Sequence, residues 1–185
     1  MASEEFRIIP ISTAYHLIHP KPAVIVISVD ESGRANGMTA AWTTPLSHSP
    51  PLVGVSISPL RYTYQLVKRS GEFTINVLDK RYVKQAHFIG TVSGRGRDKL
   101  AEAGFSLMRS RRVKPPHIRE ALAVLECAVE KEVEAGDHVL FIGRILEAYA
   151  KSEVFDEVYK PEKAKILMHL GGAYYATLAD ELIKP

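Results

Sequence analysis

The chain has 185 residues, 46% of them apolar and 24% charged, with a net charge of +3. This is the balance of one globular domain with a sizeable core, spanning residues 1–185, and the positive charge is too small to argue for nucleic acid. No apolar run reaches the ~18–20 residues of a membrane helix, and Met1–Pro10 begins acidic without a long apolar stretch, so no membrane partner and no secretory leader are expected and the cytoplasm is the expected location.

The predicted elements run as follows. Pro22–Val29 is β-branched and reads as a buried strand, and Asp30–Gly33 reads as a hairpin-like turn. Asn36–Thr44 reads as a second strand, with small residues where a ligand or another backbone could approach. Ser47–Pro51 is a loop, and Leu52–Ser58 alternates as a third strand. Pro59–Arg69 has helical character and stops at Gly71, a good C-terminal signal. Glu72–Leu78 is an alternating strand, and 80–89 and 96–103 read as short helices around the Ser93–Gly96 turn.

Leu122–Val133 and His138–Tyr149 read as two long strands joined by a tight turn at Glu134–Asp137. The first of them, rich in Leu, Ala and Glu, also suits a helix; the turn and its β-rich successor favour the strand. Ile166–Tyr175 is mixed and broken by Gly171 and Gly172. Many strands with few short helices predict a closed or nearly closed antiparallel barrel, mainly β, rather than alternating βαβ units. Side chains fill the interior of a small barrel, so a flat cofactor would bind outside it, in a groove or at a subunit interface.

Composition adds two details. The single cysteine, Cys127, forms no intrachain disulfide; it is either a buried small hydrophobe or a thiol in need of a nearby base. Only two asparagines (Asn36, Asn76) and two glutamines (Gln65, Gln85) are present, a depletion that recurs in proteins from hot environments. Two basic clusters stand out, Arg95, Arg97 and Lys99, and Arg109, Arg111, Arg112 and Lys114. Each is either solvated surface or a contact for a nucleotide phosphate.

Several chemistries lack their motifs. No GxGxxG follows a strand, Gly90–Gly96 is out of frame for a P-loop, no GxSxG occurs, and the seven histidines form no zinc pattern, so no metal site is expected. What remains is the strand-to-helix junction from Ser56 to Thr63. A helix start offers unpaired N–H groups and a partial positive charge, Ser58 and Thr63 add hydroxyls, and Arg61 adds a charged fork. Simple capping of the helix is the alternative. One helix start with one arginine suits a single terminal phosphate. Met38–Trp42 adds small side chains beside the only tryptophan, Trp42, which serves either packing or contact with a flat ring.

The ordered series N-x-M-T-A-A-W-x-T-P-L-S, P-P-L-V-G-V-S-I, P-x-R-Y-T and S-G-E-F-x-I-N-V, followed by Gly90–Gly94 with Asp98 and Lys99, then Gly136–His138, then Gly171–Tyr174, resembles the flavin reductase-like family over roughly residues 15–176. The resemblance implies an FMN-binding split β-barrel of Greek-key-like antiparallel strands and a homodimer with FMN near the subunit interface. It implies that Thr39, Ala40, Ala41, Trp42 and Thr43 line the flavin ring. Ser56, Ser58, Arg61 and Thr63 would hold the ribityl chain and phosphate, with Asn76 and Lys99 as further candidates for that end. His138 would meet the nicotinamide or substrate, or else merely steady its turn.

Members of the family reduce free flavin with NAD(P)H, reduce ferric complexes, or carry electrons on bound FMN to a protein partner. The cofactor supplies the redox chemistry, so no catalytic triad or metal is required. Three readings follow: an FMN-dependent NAD(P)H oxidoreductase acting on flavin or ferric iron, a flavoredoxin-like carrier with a redox-protein partner, and a ligand-binding barrel without flavin.

Overall fold

The computed structural model describes residues 7–184, so the acidic start, Met1–Phe6, lies outside the described residues. After a 3-10 helix at Ile11–Ile18, the strands are β1 (Lys21–Pro22), β2 (Val24–Val29), β3 (Ala35–Ala40), β4 (Thr43–Ser47), β5 (Leu52–Ile57), β6 (Glu72–Val77), β7 (Leu107–Met108), β8 (His117–Ile118), β9 (Ala123–Ala135), β10 (His138–Ala150), β11 (Met168–Gly171) and β12 (Tyr174–Ala176). Three α-helices interrupt them: α1 (Tyr62–Ser70), α2 (Val83–Thr91) and α3 (Lys99–Glu102). No helix among the described residues is long and apolar enough to cross a membrane.

Seven strands form one antiparallel sheet in the order β3-β2-β6-β9-β10-β5-β4. Its two edge strands, β3 and β4, are consecutive in the chain. The sheet curls into a barrel whose seam is bridged by Ala41 and Trp42, and this is the split barrel. The continuous strand predicted over Asn36–Thr44 is therefore two strands. Ala35–Ala40 pairs with β2, whereas Thr43 onward pairs with β5. A run that changes partner must leave one ladder before it enters the next, and Trp42 C=O accepts from Ser56 N–H at 2.9 Å as it does so.

All six residues of β2 are buried because both of its faces are covered. Val24 and Val26 point into the barrel with Val55, Ile57, Phe73, Ile75 and Phe141. Ile25 and Ile27 point outward under α2 and α3, against Ala86, Ile89 and Leu100. Gly143 on β10 makes room for Phe73: a Cβ there would lie 2.5 Å from its ring. Cys127 is fully buried in the barrel, and burial pushes its thiol up to about 12, so it is an inert core residue.

The segment that could have been a helix is β9. It pairs with β10 over 13-residue strands, turning at Gly136 (φ 64°) and Asp137. Irregularities at Ile142/Gly143 and Ile145/Glu147 let this long ribbon bend around the barrel. Helix α1 begins at Tyr62, three residues later than predicted, and ends as predicted at Gly71, whose φ of 68° is left-handed.

Candidate functional site

The seam of the barrel opens onto a cleft of about 370 Å³, within the usual size range of small-molecule sites. Its floor is β3 with Ala41 and Trp42. One wall is the end of β5 and the start of α1; the other is the end of α2 and the loop Gly90–Gly94. Ten of the twelve predicted site residues line it: Thr39, Ala40, Ala41, Trp42, Ser56, Ser58, Arg61, Thr63, Lys99 and His138.

The start of α1 is uncapped. Arg61 stands at its N-cap in extended geometry, and no side chain accepts from the first turn. The alternative of Ser or Thr capping therefore does not apply to this helix, whose leading N–H groups and positive end face the cleft. Arg61 is exposed. The Arg95 guanidinium lies 5.1 Å from the centre of the Tyr62 ring, so a second cation stands over the same helix start.

Thr63 is buried, and its hydroxyl accepts from Asn36 Nδ2 at 2.8 Å. Asn36 in turn meets the far wall, since a Cβ on Gly94 would fall 1.7 Å from Asn36 Oδ1. β3, α1 and the Gly90–Gly94 loop are thus gathered at one asparagine, and only glycine fits at position 94. Gly90 packs on Thr39 in the same way, with a hypothetical Cβ 3.2 Å away, and the Thr39 hydroxyl donates to Ala86 C=O. Thr39 therefore shapes the floor and offers little hydrogen-bonding capacity of its own.

Lys99 is 4% exposed, and its ammonium donates to the carbonyls of Ile89 (2.7 Å) and Val92 (2.8 Å). Burial first and the Arg61 charge second bring it down to about 8. Among the described residues no aspartate or glutamate lines the cleft; its ionisable lining is Arg61, Lys99, Tyr62, His138 and His169. A cationic end without a counter-charge, next to an uncapped helix start, is chemistry suited to an anion.

At the other end, Trp42 is 39% exposed and lies 4.7 Å from the His138 ring, centre to centre. Tyr15 from the 3-10 helix packs edge-on against Trp42 at 5.4 Å. His138 Nδ1 donates to Asp137 Oδ1 at 2.7 Å, leaving Nε2 without a protein partner among the described residues. This bond holds the Asp137 carboxyl below its ordinary range. His138 thus bonds to its own turn and lines the cleft.

Two predicted site residues are elsewhere. Asn76 is fully buried on β6 and is spent on the fold: Nδ2 donates to Ile25 C=O and Thr74 Oγ1, both at 3.1 Å, and Oδ1 accepts from Ile118 N–H at 2.7 Å. Its retention in an amide-poor chain reflects this internal bracket and not a ligand. Thr43 lies past the seam, bordering two apolar hollows outside the cleft, because the change of partner at Ala41–Trp42 turns β4 away. Conversely, Asn36, Tyr62, the Gly90–Gly94 loop and His169 belong to the lining and were not predicted as site residues. Asn36 heads the N-x-M-T-A-A-W motif, and the loop was visible as a glycine-rich landmark. For His169 no local signal exists, since β11 reaches the cleft only in the folded chain.

A split barrel with an acid-free cationic cleft at its seam belongs among the flavin reductase folds. A structure of the FMN-binding protein from Thermus thermophilus with bound 1-cyclohex-2-enone superposes with a TM-score of 0.86 at 28% identity, covering 98% of this chain and 99% of that one. A protein of Archaeoglobus fulgidus is 38% identical over 91% of this chain and 94% of its own length. The NADH-dependent flavin reductase StyB of Pseudomonas fluorescens is 33% identical over 66% of this chain and 68% of its own length. The flavin reductase like domain matches residues 16–177, and the chain belongs to that family.

Proposed function

We propose that this protein binds FMN and passes reducing equivalents from NAD(P)H to free flavin or to a ferric complex. The observation that carries the reading is the polarity of the cleft: Arg61, Lys99 and an uncapped helix start at one end, Trp42 and His138 at the other, and no acid between them among the described residues. FMN fits this donor set. Its phosphate would be held by Arg61, Lys99, Ser58 and the leading N–H groups of α1. The ring would lie along Thr39–Trp42, where small side chains permit close approach. Gly90 and Gly94 keep the opposite wall low.

Bound FMN supplies the electron-accepting ring, and the chain supplies position and electrostatics. Arg61 and the α1 terminus would neutralise the phosphate. His138, fixed by Asp137 and Trp42, is the proton-bearing group at the ring end and would orient the reductant or acceptor. The single phosphate site favours FMN over FAD. Exposed Ile11, Leu17 and Ile18 on the 3-10 helix, next to Tyr15 and the mouth of the cleft, support a homodimer with the cofactor near the interface.

The test is to extract or reconstitute the cofactor, identify it by chromatography, and follow NAD(P)H oxidation with flavin or ferric citrate as acceptor. Mainly FAD, or no flavin after reconstitution, overturns the cofactor assignment. Tightly held FMN that responds only to a reduced protein partner would instead make the protein a flavoredoxin-like carrier. Light scattering should give twice the 20.5 kDa chain mass, and a monomer that binds FMN tightly would refute the shared site.

A further inference from the structure

Lys99 occupies an unusual position for a lysine. It opens α3, is 4% exposed, and lines the cleft. Its ammonium has three N–H bonds. Two are used by the carbonyls of Ile89, in the last turn of α2, and Val92, just past its end in the Gly90–Gly94 wall. The third has no protein acceptor among the described residues.

Of the ionisable groups of the cleft, Arg61 is contributed by α1, with Arg95 over Tyr62 beside it, while His138 of β10 stands at the far end and His169 of β11 completes the lining. The neighbouring acids are committed elsewhere: Asp98 accepts from Ala101 N–H, and Glu102 pairs with Arg97. Among the described residues the protein thus buries an ammonium next to a guanidinium and provides no anion for either.

We propose that anion binding in this cleft is proton-linked through Lys99. The arriving phosphate supplies the missing counter-charge, Lys99 takes up a proton when the pH is alkaline, and the charged ammonium then holds the Gly90–Gly94 wall through its two carbonyls. The proposal rests on the FMN reading above and goes beyond it, because it makes cofactor retention depend on pH through one residue.

In the free protein Lys99 is brought down from 10.5 to about 8, by burial and then by Arg61. A nearby phosphate dianion favours the charged form and raises it again. The complex therefore binds more protons than the free protein above pH 8, and affinity falls there by up to one decade per pH unit. FMN binding is flat from about pH 7 to 8 and about 30-fold weaker at pH 9.5. Riboflavin has the same ring and no phosphate, so its affinity is unchanged over that range apart from ionisation of the ring, which it reports as a control.

The experiment is a titration of reconstitutable apoprotein with FMN and with riboflavin by fluorescence, from pH 6.5 to about 9.5, together with calorimetry in two buffers to count protons. Lys99→Arg keeps a charge that does not titrate below about pH 12; it should bind FMN with a flat profile. Lys99→Met should weaken FMN binding about a hundredfold at pH 7 and flatten the profile as well. Parallel loss of FMN and riboflavin, or a wild-type slope persisting in Lys99→Arg, overturns the linkage alone. Wild-type protein that binds no FMN at pH 7 overturns the cofactor reading and the linkage with it. The wild-type comparison of the two flavins decides the matter even if both variants misfold.

Discussion

Glu126 and Lys99 are both buried charges bonded mainly to backbone, and their surroundings differ in kind. Glu126 on β9 is fully buried and accepts from Arg111 N–H, Arg112 N–H and the Tyr149 hydroxyl, which is itself bonded to His117 Nδ1 at 2.8 Å. Burial alone would raise this carboxyl, but the N–H groups and the hydroxyl outweigh it and hold the group below its ordinary range. Its partners all come from the protein. Among the described residues Lys99 has a donor to spare, a like charge beside it and no acid. A buried charge that the fold completes is architecture; one that the fold leaves incomplete marks a place for a ligand.

The same contrast sorts the two basic clusters of the sequence. Glu126 pins the loop around residues 109–116 by its backbone, and Arg109, Arg111, Arg112 and Lys114 project outward as exposed rim. Arg111 packs over Tyr149 at 5.4 Å. Tyr149 and His138 are eleven residues apart on β10, roughly 36 Å along an extended strand. This rim is far along the ribbon from the cleft. The other cluster divides: Arg97 pairs with Glu102, whereas Arg95 and Lys99 stand at the cleft.

The comparison breaks first if Glu126 matters to binding. Glu126→Ala takes the acceptor from the Arg111 and Arg112 N–H groups and one partner from the Tyr149 hydroxyl, which keeps His117 Nδ1. We expect a loss of about 3 kcal/mol and a melting point lower by ~6–12 °C, with flavin affinity of the folded protein changed less than about twofold. Melting and flavin titration on the same sample check both halves. Because the folded carboxyl lies below its unfolded value of 4.5, its stabilisation is complete above that pH and is lost as pH falls through the lower folded value. Glu126→Gln should blunt this acid-side loss.

The next largest effect separates the basic clusters. Arg61→Ala should weaken FMN binding by about 1.5–3 kcal/mol, tenfold or more, and Arg112→Ala should leave it unchanged. Equal losses would place the phosphate at the wrong cluster. Gly94→Ala tests the Asn36 bracket. Its Cβ would fall 1.7 Å from Asn36 Oδ1 and must displace it from Thr63, at a cost of about 1.5 kcal/mol with weaker FMN binding. A variant with wild-type melting and affinity would show that the bracket does not shape the site.

The smallest expected effect is the most specific. His138→Ala should slow flavin reduction by NAD(P)H about tenfold, some 1.4 kcal/mol, while FMN stays bound. Stopped-flow reduction of the loaded variant, with a parallel melt, distinguishes this from bracing of the Asp137 turn. An unchanged rate at saturating reductant would confine His138 to structure.

Most of the barrel was legible because its signals are local. The β-branched run of β2, the alternation of β5 and β6, Gly71 closing α1 and the turn between β9 and β10 each depend on neighbours a few residues away. The small residues of β3 and the Ser58–Thr63 junction were legible for the same reason, and family resemblance put them in one site. The seam was not legible. Nothing near Ala41 says that Ala40 pairs with β2 while Thr43 pairs with β5, and that exchange decides which side chains face the cleft. Asn76 was misread because an amide looks the same in sequence whether its partners are ligand atoms or the backbone of Ile25 and Ile118. The sequence by itself determined the strands, the turns and the chemical types at the site. The tertiary structure alone decided that Asn36 meets Gly94, that His169 joins the lining, and that Lys99 is buried without an acid, because those outcomes depend on contacts between residues tens of positions apart.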